Sequence, residues 1–241
     1  MTVRLPRNTS VRDATRWLLA GIVLSLLILN TVGNTLLWDV DVCQAVPGVK
    51  GAVALTFDDG PSPEFTPAIL DILSEHDVRA TFFVVGENVE RYPEIVERIV
   101  AEGHEVANHT HTHPDVDAVT LDVLNEEFDR AAAALAPFEV VPVWYRPPRR
   151  ELTFAQKRLA REHGLRVALW TRVLERREFD SAEEMAATLV EETQPGDILL
   201  AHDGRLDRSR TVEALPELLE GLDRRGLPVV TLTELYGLAE E

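Results

Sequence analysis

The chain has 241 residues, with 41 Asp and Glu against 24 Lys and Arg, a formal net charge of −17, and 45% hydrophobic residues. Such length and apolar content allow a real core and exclude a disordered acidic tail. The acidic balance excludes nucleic acid as a partner, since phosphates call for a basic surface, and the one cysteine, Cys43, excludes an intrachain disulfide framework or a multi-cysteine zinc site.

Residues Trp17 to Trp38 form a run of 22 without a charge, just long enough as a helix to cross a hydrocarbon core of about 30 Å. Arg4, Arg7, Arg12 and Arg16 precede it and Asp39 and Asp41 follow, so the positive-inside tendency puts the amino terminus in the cytoplasm and the rest outside. A cleaved signal peptide is the rival reading, because the most apolar part ends at Leu29. Either way the remainder is exported. The expected organisation is a cytoplasmic stub with a membrane anchor or signal segment over 1–43, a linker over 44–51, and a monomeric domain over 52–241.

In that domain short apolar runs alternate with amphipathic stretches. Ala52–Phe57 reads as a buried strand, and Ser62-Pro63 as the start of a helix carrying Ile69, Leu70, Ile72 and Leu73. Ala80–Val85 is the next strand, followed by a helix over Val89–Glu102 that Gly103 stops, a strand over Glu105–Asn108 and a helix over Thr120–Leu135. Val140–Tyr145 and Val167–Trp170 are strands flanking a helix that opens on a Thr153/Gln156 capping box. Ser181 with Glu184 opens another helix. Ile198–Ala201, a helix over Arg208–Arg225, and Pro228–Thr231 complete the pattern. Strand and helix alternating about seven times indicate an α/β fold of parallel strands, as a doubly wound sheet or a barrel. In both, the site belongs at the carboxyl ends of the strands.

Four polar clusters fall at such ends: Thr56-Phe57-Asp58-Asp59-Gly60-Pro61, Asn108-His109-Thr110-His111-Thr112-His113, Arg146-Pro147-Pro148, and Leu200-Ala201-His202-Asp203-Gly204. His109 and His113 would lie about 6 Å apart in a helical turn and about 13 Å apart if extended, so only a folded segment brings them to one ion. Taken alone, the histidines also fit an exposed polar loop. Asp58 and Asp59, being adjacent, project differently, and one can ligate while the other stays free. A carboxylate with two imidazoles leaves an open position, the catalytic form of a zinc site.

In this order the motifs resemble the NodB-type polysaccharide deacetylases, carbohydrate esterase family four, over about residues 50–235. The resemblance implies a distorted (β/α) barrel and a metal-dependent N-deacetylase, acting on N-acetylated sugars of a cell-wall or extracellular glycan, peptidoglycan or chitin-like. It makes Asp58 the general base, Asp59, His109 and His113 the ligands of a divalent ion (usually Zn2+), and Arg146 the group that fixes Asp58. His111 stands in the variable middle of its motif and is not a ligand. His202 becomes the general acid, Leu200 lines the acetyl pocket beside Trp170, and the N–H of Arg149 helps hold the oxyanion.

Two departures stand out. Arg149-Arg150 replace the aromatic residue and glycine that commonly follow the proline pair. Val173 stands where the family usually has an aspartate, three residues past Trp170, that orients the acid histidine. Glu175 or Asp180 could supply that carboxylate from a shifted loop, and without one the expected loss is about 10–100-fold in rate. This gap leaves two other readings open, a non-catalytic sugar-binding or scaffold protein at the envelope and a deacetylase or esterase for small molecules.

Overall fold

The structure is a computed structural model that describes residues 42–149, 152–176 and 178–239. The anchor or signal segment expected over 17–38 lies outside these residues, and among those described no helix is long and apolar enough to cross a membrane.

Among the described residues nine strands form one curled sheet: β1 (Val42–Cys43), β2 (Val53–Asp58), β3 (Thr81–Val84), β4 (Glu105–Asn108), β5 (Trp144–Tyr145), β6 (Arg166–Ala168), β7 (Arg172–Val173), β8 (Ile198–His202) and β9 (Val229–Val230). Their order is β1-β6-β5-β4-β3-β2-β8-β7, with β9 paired to the start of β2, and every strand pairing is parallel. No pairing joins β7 to β1 among the described residues, so the barrel is open there. The helices are α1 (Thr66–Glu75), α2 (Gly86–Arg91), α3 (Pro93–Ala101), α4 (Leu121–Leu135), α5 (Phe154–Glu162), α6 (Ala182–Glu192), α7 (Ser209–Arg224) and α8 (Leu232–Gly237).

Strand β2 is buried on both faces, which is why it reads as an apolar run. Its two-residue period sends Val53, Leu55 and Phe57 into the main core beneath the helices. Ala54 turns instead into the barrel interior with Phe83, Trp144 and Ile198. Thr56 and Asp58 share the face of Ala54, so the same alternation that builds the core aims Asp58 inward at the carboxyl mouth. Strand β8 repeats this, with Leu199 and Ala201 in the outer core and Ile198 in the inner one. Leu200 and His202 therefore share the inward face.

Several expected boundaries move, each for a local reason. The helix expected over Val89–Glu102 is two, because Pro93 lacks an N–H and disfavours helical backbone at Tyr92 (φ −131, ψ 54). The strand expected over Val140–Tyr145 shrinks to Trp144–Tyr145, since Pro142 cannot donate to the ladder and Val141 is exposed. Helix α1 starts at Thr66 rather than at Ser62-Pro63, with Pro67 in its first turn. The stretch 44–51, expected as a linker, is packed. Val46 and Val49 are buried, and Val42–Cys43 adds an edge strand beside β6. Three of these elements had no counterpart in the sequence reading: β1, β7 and the short helix α8, which opens on a Thr231/Glu234 capping box.

Candidate active site

The polar clusters meet because parallel register lines up strand ends. Asp58 is level with His202 across β2–β8, Val84 with Asn108 across β3–β4, and Asn108 with Tyr145 across β4–β5. Asp58, Asp59, His109, His113, Arg146, Glu175 and His202 thus surround one mouth.

Asp59 adopts a left-handed backbone (φ 78), and its carboxylate and that of Asp58 both approach His109. Its Oδ1 lies 3.1 Å from His113 Nε2 and 3.5 Å from His109 Nε2, and the three ligand atoms lie within 4.8 Å of one another. The segment between the histidines is neither helix nor strand but a loop that stacks the imidazoles edge to face, centroids 4.9 Å apart. His109 Nδ1 donates to the carbonyl of Arg146 at 2.7 Å, which leaves its Nε2 lone pair toward Asp59. Asp59 Oδ1 is buried with no hydrogen-bond partner. An orphaned carboxylate oxygen beside two imidazole nitrogens fits a divalent ion of the zinc type. Burial pushes the Asp59 pKa up, but the two imidazoles outweigh it and hold the carboxyl well below the usual range. His111 is fully buried and outside this group.

Asp58 is held by Arg146, the most buried charge in the site, whose side chain has no exposed surface. Its Nη1 donates to Asp58 Oδ1 at 2.6 Å and to Thr56 Oγ1 at 2.8 Å, while Nε and Nη2 reach the carbonyls of Ala168 and Leu169 at 3.2 and 3.0 Å. The guanidinium lies 4.0 Å over the Phe83 ring and 5.6 Å from that of Trp170. With four acceptors and an aromatic floor, Arg146 has one geometry, and it leaves Asp58 Oδ2 facing the His109 side at 3.9 Å.

The carboxylate missing at Val173 is supplied by Glu175. In the β7–β8 ladder Arg172 pairs with Leu199 and Val173 with Leu200, so residue 175 comes level with His202. Glu175 Oε2 lies 3.0 Å from His202 Nδ1, and Oε1 accepts from the His202 N–H and from Thr211 Oγ1, both at 2.7 Å. Burial lowers the pKa of His202, but Glu175 more than offsets it and the net shift is upward. Glu175, for which burial acts upward, is held below its ordinary value by His202 and Thr211. Asp180, the other candidate, stays on the surface near the start of α6, where its N–H reaches Glu184, and contributes nothing to the site.

Of the remaining residues, Leu200 is buried one pleat below His202, and Trp170 is half-buried beside Arg146. Arg149 takes a left-handed backbone (φ 65), and its exposed side chain pairs with Asp115 at 2.9 Å across the rim. The sequence reading missed Arg208 and Thr211, and gave Asp203, within its fourth cluster, no role. Arg208 donates to the Gly204 carbonyl at 2.8 Å and reaches Asp59 Oδ2 at 3.4 Å. Thr211 binds Glu175 from the first turn of α7, just after Arg208. Asp203 is buried behind Gly60, accepts from Thr66 Oγ1 at 2.6 Å, and has its pKa pushed up to about 7, chiefly by burial. Arg208 and Thr211 carry no local signal. Only the fold brings α7 to β7.

Residues 45–168 match the family model described as polysaccharide deacetylase. The chain is 35% identical over 192 residues to a peptidoglycan-N-acetylglucosamine deacetylase of Bacillus cereus, covering 79% of this chain and 90% of that protein. It is 36% identical over 200 residues to a chitooligosaccharide deacetylase of Bradyrhizobium sp., covering 77% and 90%. Among solved structures, that of the Bc1960 peptidoglycan N-acetylglucosamine deacetylase superposes with a TM-score of 0.78 at 34% identity, covering 82% of this chain and 93% of the other. The Thr-Phe-Asp-Asp-Gly, His-Thr-His-Thr-His and Arg-Pro-Pro motifs fall within the matched span, and the chain belongs to the NodB-type polysaccharide deacetylase family, carbohydrate esterase family four.

Proposed function

We propose that this protein is a metal-dependent deacetylase that hydrolyses the N-acetyl amide of a sugar in a cell-wall glycan, releasing acetate and leaving a free amine. The observation that carries this reading over a non-catalytic sugar-binding one is Glu175 against His202 Nδ1 at 3.0 Å, since a carboxylate beside the acid histidine restores what Val173 lacks. Similarity to peptidoglycan and chitooligosaccharide deacetylases supports the substrate class.

Asp59, His109 and His113 would hold the ion, and a divalent ion bound there supplies Lewis-acid activation of the acetyl carbonyl and of a water. Asp58 takes a proton from the attacking water, its Oδ1 pinned by Arg146 so that Oδ2 does the work. The oxygen of that water adds to the carbonyl carbon, and the N–H of Arg149 is the family's position for a donor to the oxyanion. His202 gives its Nε2 proton to the nitrogen as the C–N bond breaks. Its Nδ1–H stays on Glu175, which fixes the tautomer and favours the protonated ring. Leu200 lines the acetyl pocket.

The uncharged run over 17–38 and the wall-directed relatives support an exported protein anchored through its amino-terminal segment, with the catalytic domain outside. Acetate release from purified peptidoglycan and from N-acetylglucosamine oligomers, with zinc added or chelated, tests the activity. Zinc-dependent release strongly reduced by Asp58→Asn is the expected result, whereas a protein that binds zinc and glycan yet never releases acetate would return the scaffold reading. Protease accessibility of the domain on intact cells tests the location.

A further inference from the structure

The loop from Asn108 to His113 must bring two imidazoles to one carboxylate, and its backbone is unusual, with left-handed Thr110 (φ 69) and His113 (φ 56). Its polar groups can be followed one by one. The His109 N–H bonds the Val84 carbonyl at 3.0 Å, and the Thr110 N–H bonds Asn108 Oδ1 at 2.7 Å. The carbonyls of Thr110 and His111 accept from the N–H groups of Gly86 and Glu87, at the start of α2, at 3.0 and 2.9 Å. His113 N–H bonds Thr110 Oγ1 at 3.0 Å. The two N–H groups in the middle of the loop, those of His111 and Thr112, remain.

Both end on Glu127. This residue sits on the inward face of α4 among Leu124, Phe128 and Ala131, and is only 5% exposed. Its Oε2 accepts from His111 N at 2.8 Å and from Thr112 N at 2.7 Å, and its Oε1 from Thr112 Oγ1 at 2.8 Å. A buried carboxylate on the apolar stripe of a helix needs partners, and here all three hydrogen bonds among the described residues come from the two positions preceding His113. Opposite it, the His111 ring packs on Gly86, where a Cβ would collide with it. The loop is gripped from both sides, by the carboxylate on its backbone and by a closed pocket around its middle side chain.

We infer that Glu127 is a positioning residue for the metal centre, setting the turn that brings His113 Nε2 to Asp59 Oδ1. It touches neither ligand side chain and acts through the backbone between them. The inference rests on reading Asp59, His109 and His113 as the metal ligands.

The test is the zinc affinity of the full-length protein, measured by competition with a chromophoric chelator, beside the melting temperature of the metal-free form. Glu127→Ala should weaken zinc binding by about 10- to 100-fold, the range found when groups that orient ligands are removed. Glu127→Gln, whose carbonyl can accept both N–H groups, should stay within about three-fold of the parent by that measure. Thr112→Val, which removes one of the three bonds and no charge, should fall between. A purely structural Glu127 would lower the melting temperature in Glu127→Ala and leave the zinc affinity unchanged, which overturns the inference. Glu127→Gln weakening zinc as much as Glu127→Ala also overturns it, because charge rather than the hydrogen bonds would then be responsible. If Glu127→Ala does not fold, Thr112→Val decides, and parental affinity there counts against the proposal. If the parent takes up no zinc, or His113→Ala binds it as tightly as the parent, the reading of the metal centre fails first and the inference falls with it.

Discussion

Glu175→Gln should separate the acid half of the site from its metal half. The amide keeps the volume but offers one acceptor where Glu175 serves three donors: the His202 N–H, the His202 Nδ1–H and the Thr211 hydroxyl. If the amide carbonyl stays on the His202 N–H, its NH2 faces Nδ1, which must then be an acceptor and cannot be part of an imidazolium. A hydrogen bond to a charged group contributes about 1.5–3 kcal/mol; lost from the protonated ring, it corresponds to about 10- to 150-fold in kcat. The pH dependence has a definite sign. Glu175 raises the His202 pKa, so the protonated acid persists to higher pH in the parent. In Glu175→Gln the fall of activity on the alkaline side should begin at lower pH. The assay is acetate release from N-acetylglucosamine oligomers across pH, with bound zinc measured on the same samples. An activated aryl acetate, whose leaving group needs no proton, should show a much smaller loss. Parental kcat with an unmoved alkaline limb on the sugar substrate would refute the reasoning, and so would equal losses on both substrates.

Asp58→Asn should cut acetate release by about 10²- to 10⁴-fold, the usual weight of a general base, with zinc stoichiometry unchanged. Loss of zinc in that variant would make Asp58 a ligand instead. Arg146→Met leaves the Asp58 carboxylate buried without its ion pair, a change that costs about 3–5 kcal/mol; at about 2–4 °C per kcal/mol for a domain of this size, differential scanning calorimetry should show Tm falling by roughly 6–20 °C. A drop under a degree or two would contradict the contacts drawn for Arg146. Asp203, with its folded pKa raised to about 7, sits above the value of about 3.9 expected for an unfolded chain. The unfolded state therefore gives up that proton first, and Asp203 costs the metal-free protein stability increasingly as pH rises from about 4 to about 7. Asp203→Asn, which can still accept from Thr66, should flatten that decline in melts run from pH 4 to 8, and an unchanged slope would show that Asp203 is ionised throughout.

Much of the site could be read in the sequence because its pieces are local. A strand buried on both faces is an apolar run, and Asp58-Asp59, His202 and Arg146 follow such runs directly, so predicting the strands located the residues at one mouth. The His109-to-His113 spacing demanded a folded loop, and the loop is folded. What the sequence left open was which carboxylate serves His202. Glu175 and Asp180 are equally available along the chain, and the choice falls to the β7–β8 register, which sets residue 175 level with residue 202 and leaves Asp180 at the surface. Nothing local foretold β7, a two-residue strand.

Tertiary structure likewise decided the lack of pairing between β7 and β1 among the described residues, the packing of residues 44–51, and the parts played by Arg208, Thr211 and Glu127. These side chains act across more than a dozen residues of sequence, and each looks locally like an ordinary helix residue. The one hint was Glu127, a charge in phase with Leu124, Phe128 and Ala131 on the face that must be buried. Periodicity determines which side chains go inside. Only the packed fold decides which partner each buried polar group finds there, because that depends on the register between elements distant in the chain.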